Sequence, residues 1–286
     1  MIAEHRSSGA FFDAGGVRSF FRSEGSGDPV VLIHGLPASS FLFRKVIPEL
    51  ASRGFRALAF DLPGLGLADR PPDFDYRIAG LGTFAEQAIG ALGIKRFHLV
   101  VHDAGGPVGF DLIRRAPERI RSLTITNTVV ELAGTRFPGE VIARGVHRVP
   151  RWLASERVWR SMMIRVGILD RSHISKAEID AYRKLALGDD HGAAYLQIMA
   201  ALGEQREASV DYHPILNTST APYPVQIIWG ADDPILRLRR FGYQALAATG
   251  LQSLQALPAR HFLHEDQGAA IAELVAAFAQ RSDQAP

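Results

Sequence analysis

The run Val30-Val31-Leu32-Ile33 is apolar at every position rather than at every second one. A strand with one wet face alternates; a run like this one belongs to a strand covered on both faces. Comparable β-branched and apolar runs recur, predicting strands at Val30–His34, Phe55–Phe60, Phe97–Val101, Leu123–Thr126 and Val225–Trp229, with a weaker one near Leu251–Leu257. Longer stretches of helical character lie between or after them: Phe41–Arg53, Ala79–Leu92, Gly106–Arg115 and Ala269–Gln280. Strands alternating with helices imply parallel crossovers. The expected class is therefore α/β, with a mostly parallel central sheet flanked by helices.

The alternation stops after Asn127, and strand character returns only at Pro224-Val225-Gln226-Ile227-Ile228. In between, the chain is helix-like and rich in Arg and Ala, and it carries Trp152, Trp159 and Tyr195. This divides the chain into a core of residues 1–130 and 218–286 and a helical cap, 131–217, inserted after the sixth strand. A length of 286 residues suffices for one large core plus such a module.

With 32 Lys and Arg against 30 Asp and Glu, the formal charge is only +2, which gives no reason to expect nucleic acid or a membrane as partner. The absence of cysteine excludes disulfides and thiolate metal sites. No signal-peptide core or membrane-length apolar run is present, so a cytoplasmic location is expected.

The chemistry concentrates in Phe97-His98-Leu99-Val100-Val101-His102-Asp103-Ala104-Gly105-Gly106, where a buried strand meets an acid, two glycines and a helix. So tight a strand-to-helix turn lifts its apical side chain over the C-terminal edge of the sheet. Asp103 then reads either as a carboxylate nucleophile or as the N-cap of the helix beginning near Gly106. A phosphate loop is excluded, because the Lys-Ser/Thr end of that motif is missing. His34-Gly35-Leu36-Pro37 turns at the end of another strand, and the Leu36 N–H could join that of Ala104 in an oxyanion hole. Trp229-Gly230-Ala231-Asp232-Asp233-Pro234 and Ala259-Arg260-His261-Phe262-Leu263-His264-Glu265-Asp266 follow the last strands. The resulting order is nucleophile, acid, base, all at one sheet edge.

From about Gly15 onward the chain resembles the α/β-hydrolase superfamily, in the branch of haloalkane dehalogenases and epoxide hydrolases. His34-Gly35-Leu36-Pro37, His102-Asp103-Ala104-Gly105-Gly106 and Asp61-Leu62-Pro63-Gly64-Leu65-Gly66 with Asp69-Arg70-Pro71 carry the resemblance. It implies an α/β-hydrolase fold with Asp103 as nucleophile, Asp233 as acid through the family's Gly-x-x-Asp-Pro spacing, and His261 as base. Asp232 is the neighbouring alternative for the acid and His264 for the base. A metal site from His261, His264 and Asp266 is conceivable by spacing but has no remote ligand. His102 and His34 read as structural, His102 with its side chain directed away from the nucleophile's.

The implied reaction is attack by Asp103 on a saturated carbon, giving an alkyl ester that a His261-activated water hydrolyses, with no cofactor or metal. Leaving-group stabilisation separates the two activities. Dehalogenases of this branch usually have an indole donor directly after the nucleophile and an Asn after His-Gly or a cap Trp; here the positions hold Ala104 and Leu36, leaving Trp152 or Trp159 as cap donors. Epoxide hydrolases protonate the opening ring from cap tyrosines, for which Tyr195 and Tyr182 are the candidates. Val101 and the segment Ala259–Asp266 are more dehalogenase-like. Ala104 tips the expectation to an epoxide hydrolase for small apolar substrates, the alternatives being a dehalogenase-like hydrolase, an ester or lactone hydrolase, and a non-catalytic binder. Phe41, Phe43, Trp152, Phe137 and Phe262 are candidates to line the pocket, and the chain is expected to be a monomer or homodimer.

Overall fold

A computed structural model describes residues 1–131, 146–208 and 211–284, with backbone alone for 203–208. Phe137 and parts of the expected cap lie outside the described residues.

Eight strands form one sheet: β1 Ala10–Ala14, β2 Val17–Glu24, β3 Asp28–Ile33, β4 Phe55–Phe60, β5 Phe97–Asp103, β6 Ile120–Thr128, β7 Val225–Gly230 and β8 Gln255–Leu257. Their spatial order is β1-β2-β4-β3-β5-β6-β7-β8. All neighbours from β4 to β8 are parallel, while β1 and β2 join antiparallel at one edge. The chain is thus an α/β-hydrolase fold, as expected.

Helices cover both faces: α1 Ile2–Ser7, α2 Ile47–Ser52, α3 Ile78–Ala91, α4 Gly105–Arg115, α5 Glu156–Met162, α6 Lys176–Leu187, α7 Ala193–Ala208, α8 Tyr243–Thr249 and α9 Gly268–Gln284, with shorter turns between. The even, odd alternation of β3 explains the two cores. Val31 and Ile33 pack with α3 and α4, whereas Val30 and Leu32 pack with α2 and α9 residues such as Ile47 and Val275.

Three local differences from the sequence reading have physical causes. The helix expected over Phe41–Arg53 is a 3₁₀ segment, Ser40–Lys45, followed by α2. Pro48 cannot donate to the turn before it, so a continuous helix is broken there. The weak last strand contracts to Gln255–Leu257, because α8 ends at Gly250 in a left-handed conformation and the chain has yet to rejoin the sheet. The β1–β2 hairpin was not foreseen; Gly15-Gly16, both at positive φ between paired Ala14 and Val17, is the two-residue turn that signals it.

Between Thr128 and Val225 the described residues add no strand to the sheet and form α5, α6 and α7 over its C-terminal edge. Among the described residues, no helix is long and apolar enough to cross a membrane.

Candidate active site

β5 delivers Asp103 at its last position, with φ +51. A non-glycine residue is held in that region only when its surroundings over-determine it, at a cost of order 1–3 kcal/mol. The restraints are visible. Thr128 Oγ1 donates to the Asp103 carbonyl at 2.5 Å, and the register with β6 shifts between His102 and Asp103. On the other side, a Cβ at Gly35 would come within 2.4 Å of both Ala104 N and Asp103 Oδ2. Only glycine permits this approach of the two loops.

The carboxylate is not a helix cap. No side chain caps α4. Instead the Leu36 N–H donates to Asp103 Oδ2 at 2.7 Å, and the Ala104 N–H sits close enough to the carboxylate to help lower its pKa. Both expected oxyanion donors therefore converge on the acid. Burial works to raise the Asp103 pKa, but the hydrogen bond and charge of His261 outweigh it and the net shift is downward. Asp103 is ionised, with Oδ2 bound by the Leu36 amide.

Its other oxygen, Oδ1, lies 3.5 Å from His261 Nε2. His261 Nδ1 lies 2.8 Å from Asp233 Oδ2, so the ring bridges two acids, one at the end of β5 and one in the loop after β7. Asp233 is buried, and its Oδ1 accepts the Ile235 and Leu236 N–H groups at 2.8 and 2.9 Å. Burial pushes its pKa up; the His261 charge and the bonds from His261, Asn127 and Leu236 override this and bring it down to about 2. For His261 burial disfavours the cation, yet the Asp233 charge and the bonds to both acids hold its pKa up at about 10. Asp232 is exposed and takes no part.

Asn127, at the end of β6, escaped the sequence reading. Its Nδ2 donates to Asp233 Oδ2 at 2.6 Å and its Oδ1 accepts the Gly230 N–H at 2.7 Å. The signal was its position: a polar residue ending a strand on the edge where the other site residues lie.

The remaining histidines brace the site. Leu62 N–H donates to His34 Nε2 at 3.0 Å, which leaves the Nδ1 proton for the Gly35 carbonyl, also at 3.0 Å. His102 does not simply point away: its Nε2 bonds the His261 carbonyl at 2.9 Å. His264 is wholly buried, edge-on to Phe43 and His102, and its pKa is pushed well below the ordinary value by burial. The Asp266 carboxylate accepts the Leu169 and Asp170 N–H groups at 2.9 and 3.1 Å. With His261 held by two acids, the three residues do not converge on a metal.

Asp103 and His261 open on a cavity of about 150 Å³. Its walls are apolar, including Leu36, Val129, Met162, Met199, Ile235 and Phe262. Tyr195, from α7, also lines it; burial and the Asp103 charge push its pKa up to about 12, so it stays protonated. Tyr182 is a correction. Its hydroxyl donates to Glu265 at 2.5 Å, in a buried cluster where Arg44 also bonds Glu265 and Glu178, and it does not line the cavity. An amphipathic tyrosine on a buried helix face must satisfy its hydroxyl, and here the carboxylate does so. Neither cap tryptophan reaches the cavity: Trp152 is 67% exposed and Trp159 is buried elsewhere. Of the phenylalanine candidates, Phe262 lines it, while Phe41 and Phe43 are core.

Comparison with known proteins places the chain in a family. The α/β-hydrolase fold family model matches residues 28–157. A haloalkane dehalogenase of Mycolicibacterium smegmatis is 30% identical over 281 residues, covering 92% of this chain and 88% of that protein. The chain belongs to the α/β-hydrolase superfamily, in the branch of haloalkane dehalogenases and epoxide hydrolases.

As a hydrolase of this branch it has structural neighbours of both kinds. The ancestral haloalkane dehalogenase AncHLD2 superposes with TM-score 0.78 at 23% identity, covering 96% of this chain and 100% of that one. Epoxide hydrolase VrEH1 from Vigna radiata gives 0.75 at 20% identity, covering 96% and 97%. At such identities these neighbours support the fold alone.

Proposed function

We propose that this hydrolase is an epoxide hydrolase for small apolar epoxides, working through an ester of Asp103, with the helical segment 131–217 as its cap. The observation that carries the reading is the lining of the cavity: Tyr195 supplies a hydroxyl proton there, and among the described lining residues no indole or carboxamide offers the N–H donors a departing halide needs.

Asp103 Oδ1, the oxygen facing His261, attacks a ring carbon while Oδ2 stays with Leu36. The C–O bond of the ring breaks, and the developing alkoxide takes the Tyr195 proton. Esterification removes the Asp103 charge, one of the causes holding His261 protonated, so the imidazolium gives up a proton that restores the Tyr195 hydroxyl through solvent, and the neutral imidazole becomes available as base. Water then gives a proton to His261 and adds to the ester carbon, with the oxyanion forming on Oδ2 at the two backbone N–H groups. Collapse expels the diol alkoxide, which receives the proton from His261, and the carboxylic acid left at Asp103 returns its own proton to the imidazole. Asp233 keeps the ring oriented and balances its charge.

Dehalogenase-like activity is the second reading, favoured by the 30% identical relative and by its name. One experiment separates the two. His261→Gln, incubated with mixed epoxides and haloalkanes, should trap the ester for intact-protein mass spectrometry. An adduct with the mass of a whole epoxide supports the first reading, and an alkyl adduct without its halogen the second. No adduct from either panel, with wild type still cleaving an ester, would sink the alkyl-ester mechanism. Ligand binding by a wild type that turns over nothing would leave a binding protein.

A further inference from the structure

The chain-wide charge of +2 conceals a strong local imbalance. Positions 147–176 hold six arginines and one lysine against one glutamate and one aspartate. Five of these cations, Arg157, Arg160, Arg165, Arg171 and Lys176, line a shallow outward-facing groove of about 570 Å³ with Glu156. Glu156 pairs with Lys176 at 3.0 Å; the four arginines are exposed and have no ion pair among the described residues.

The groove backs directly onto the active-site cavity. One helical stretch, α5 and its continuation through Gly167, separates them: Arg157, Arg160, Ile164 and Arg165 face the groove, and Met162, Met163, Val166 and Gly167 face the cavity. The same region bears two large apolar side chains in water, Trp152 at 67% exposure, four residues before α5, and Leu169 at 38%, two residues before Arg171. Arginines close along the chain to an exposed tryptophan and leucine form the combination that settles into the headgroup layer of an anionic bilayer.

We infer that this outer face of the helical segment docks on anionic phospholipid surfaces. Charge complementarity selects the anion, and the exposed Trp152 and Leu169 favour a bilayer, which can bury them, over a nucleic acid, whose recognition has no use for Leu169. The inference rests on the reading of the cavity as a site for apolar substrates, because such compounds concentrate in membranes and would meet the enzyme there.

Co-sedimentation of the intact protein with phosphatidylcholine vesicles, with and without about one third phosphatidylserine, tests it. Binding to the anionic vesicles only, reversed by salt and accompanied by a blue shift of tryptophan emission, is the expected result. The shift would report Trp152, since Trp159 and Trp229 are already buried. Arg160→Glu with Arg171→Glu should weaken binding by about tenfold or more, with an unchanged melting temperature because both residues are exposed. Trp152→Ala should weaken it too. Absence of vesicle binding at low salt, equal binding to neutral vesicles, or undiminished binding by the double variant would overturn the inference. So would salt-sensitive binding to duplex DNA without vesicle binding. The assay needs no turnover, so the wrong substrate assignment would not disturb it.

Discussion

Asn127 and Asp233 meet at 2.6 Å, the amide of one strand end donating to the carboxylate oxygen that also holds His261. A hydrogen bond to a charged group contributes about 1.5–3 kcal/mol. Asn127→Ala should therefore lower kcat by roughly ten- to a hundredfold, with less change in KM, because the amide touches Asp233 and not the cavity. Steady-state kinetics on the best substrate checks this; a change confined to KM would contradict it.

The pH dependence of stability follows from the His261–Asp233 pair. The His261 pKa is raised from 6.5 to about 10, so the cation's contribution is complete below pH 6.5 and is lost as pH rises toward 10. Asp233 is lowered from 3.8 to about 2, so its contribution is complete above 3.8 and is lost as pH falls toward 2. Calorimetry of wild type and His261→Gln should show the wild-type melting temperature falling more steeply between neutral pH and pH 10. Parallel curves would mean that His261 is not charged in the resting protein.

Two tyrosines should part company on mutation. Tyr195→Phe removes a proton donor inside the cavity and should slow ester formation from epoxides about a hundredfold or more, with little effect on melting. Tyr182→Phe leaves Glu265 one donor short and should destabilise the fold by about 1–2 kcal/mol while sparing the rate of ester formation. Single-turnover mass spectrometry and thermal melts measure the four quantities. A rate loss in Tyr182→Phe matching that in Tyr195→Phe would refute the separation.

Gly35→Ala forces a methyl group against Ala104 N and Asp103 Oδ2. Overpacking of this kind costs about 1–3 kcal/mol. Activity should fall further than stability, because the displaced atoms are the proposed nucleophile and one proposed oxyanion donor. A variant with normal kcat would show that the two loops need not approach so closely.

The apolar runs of β3, β4 and β5 exposed parallel strands, since burial on both faces leaves few polar positions in them. The β1–β2 hairpin was less legible because Val17–Glu24 mixes Arg18, Ser19 and Arg22 with its phenylalanines. Asp103 and His261 were readable from the loops that present them. Asn127 was not: a single Asn at a strand end has no pattern, and its meaning comes from Asp233, more than a hundred positions away. Tyr182 failed in the opposite sense, as a plausible donor in sequence whose hydroxyl is already engaged by Glu265 in space.

The pinning of Asp103 Oδ2 by Leu36 makes the two oxygens of one carboxylate unequal. In the proposed mechanism the unpinned oxygen is the one that leaves with the diol, and the water that frees the product replaces it. In heavy-oxygen water the first product molecule would therefore carry an ordinary oxygen taken from the polypeptide, and the label would enter the protein before it reached any product. With each cycle, the enzyme exchanges part of its own covalent structure for solvent.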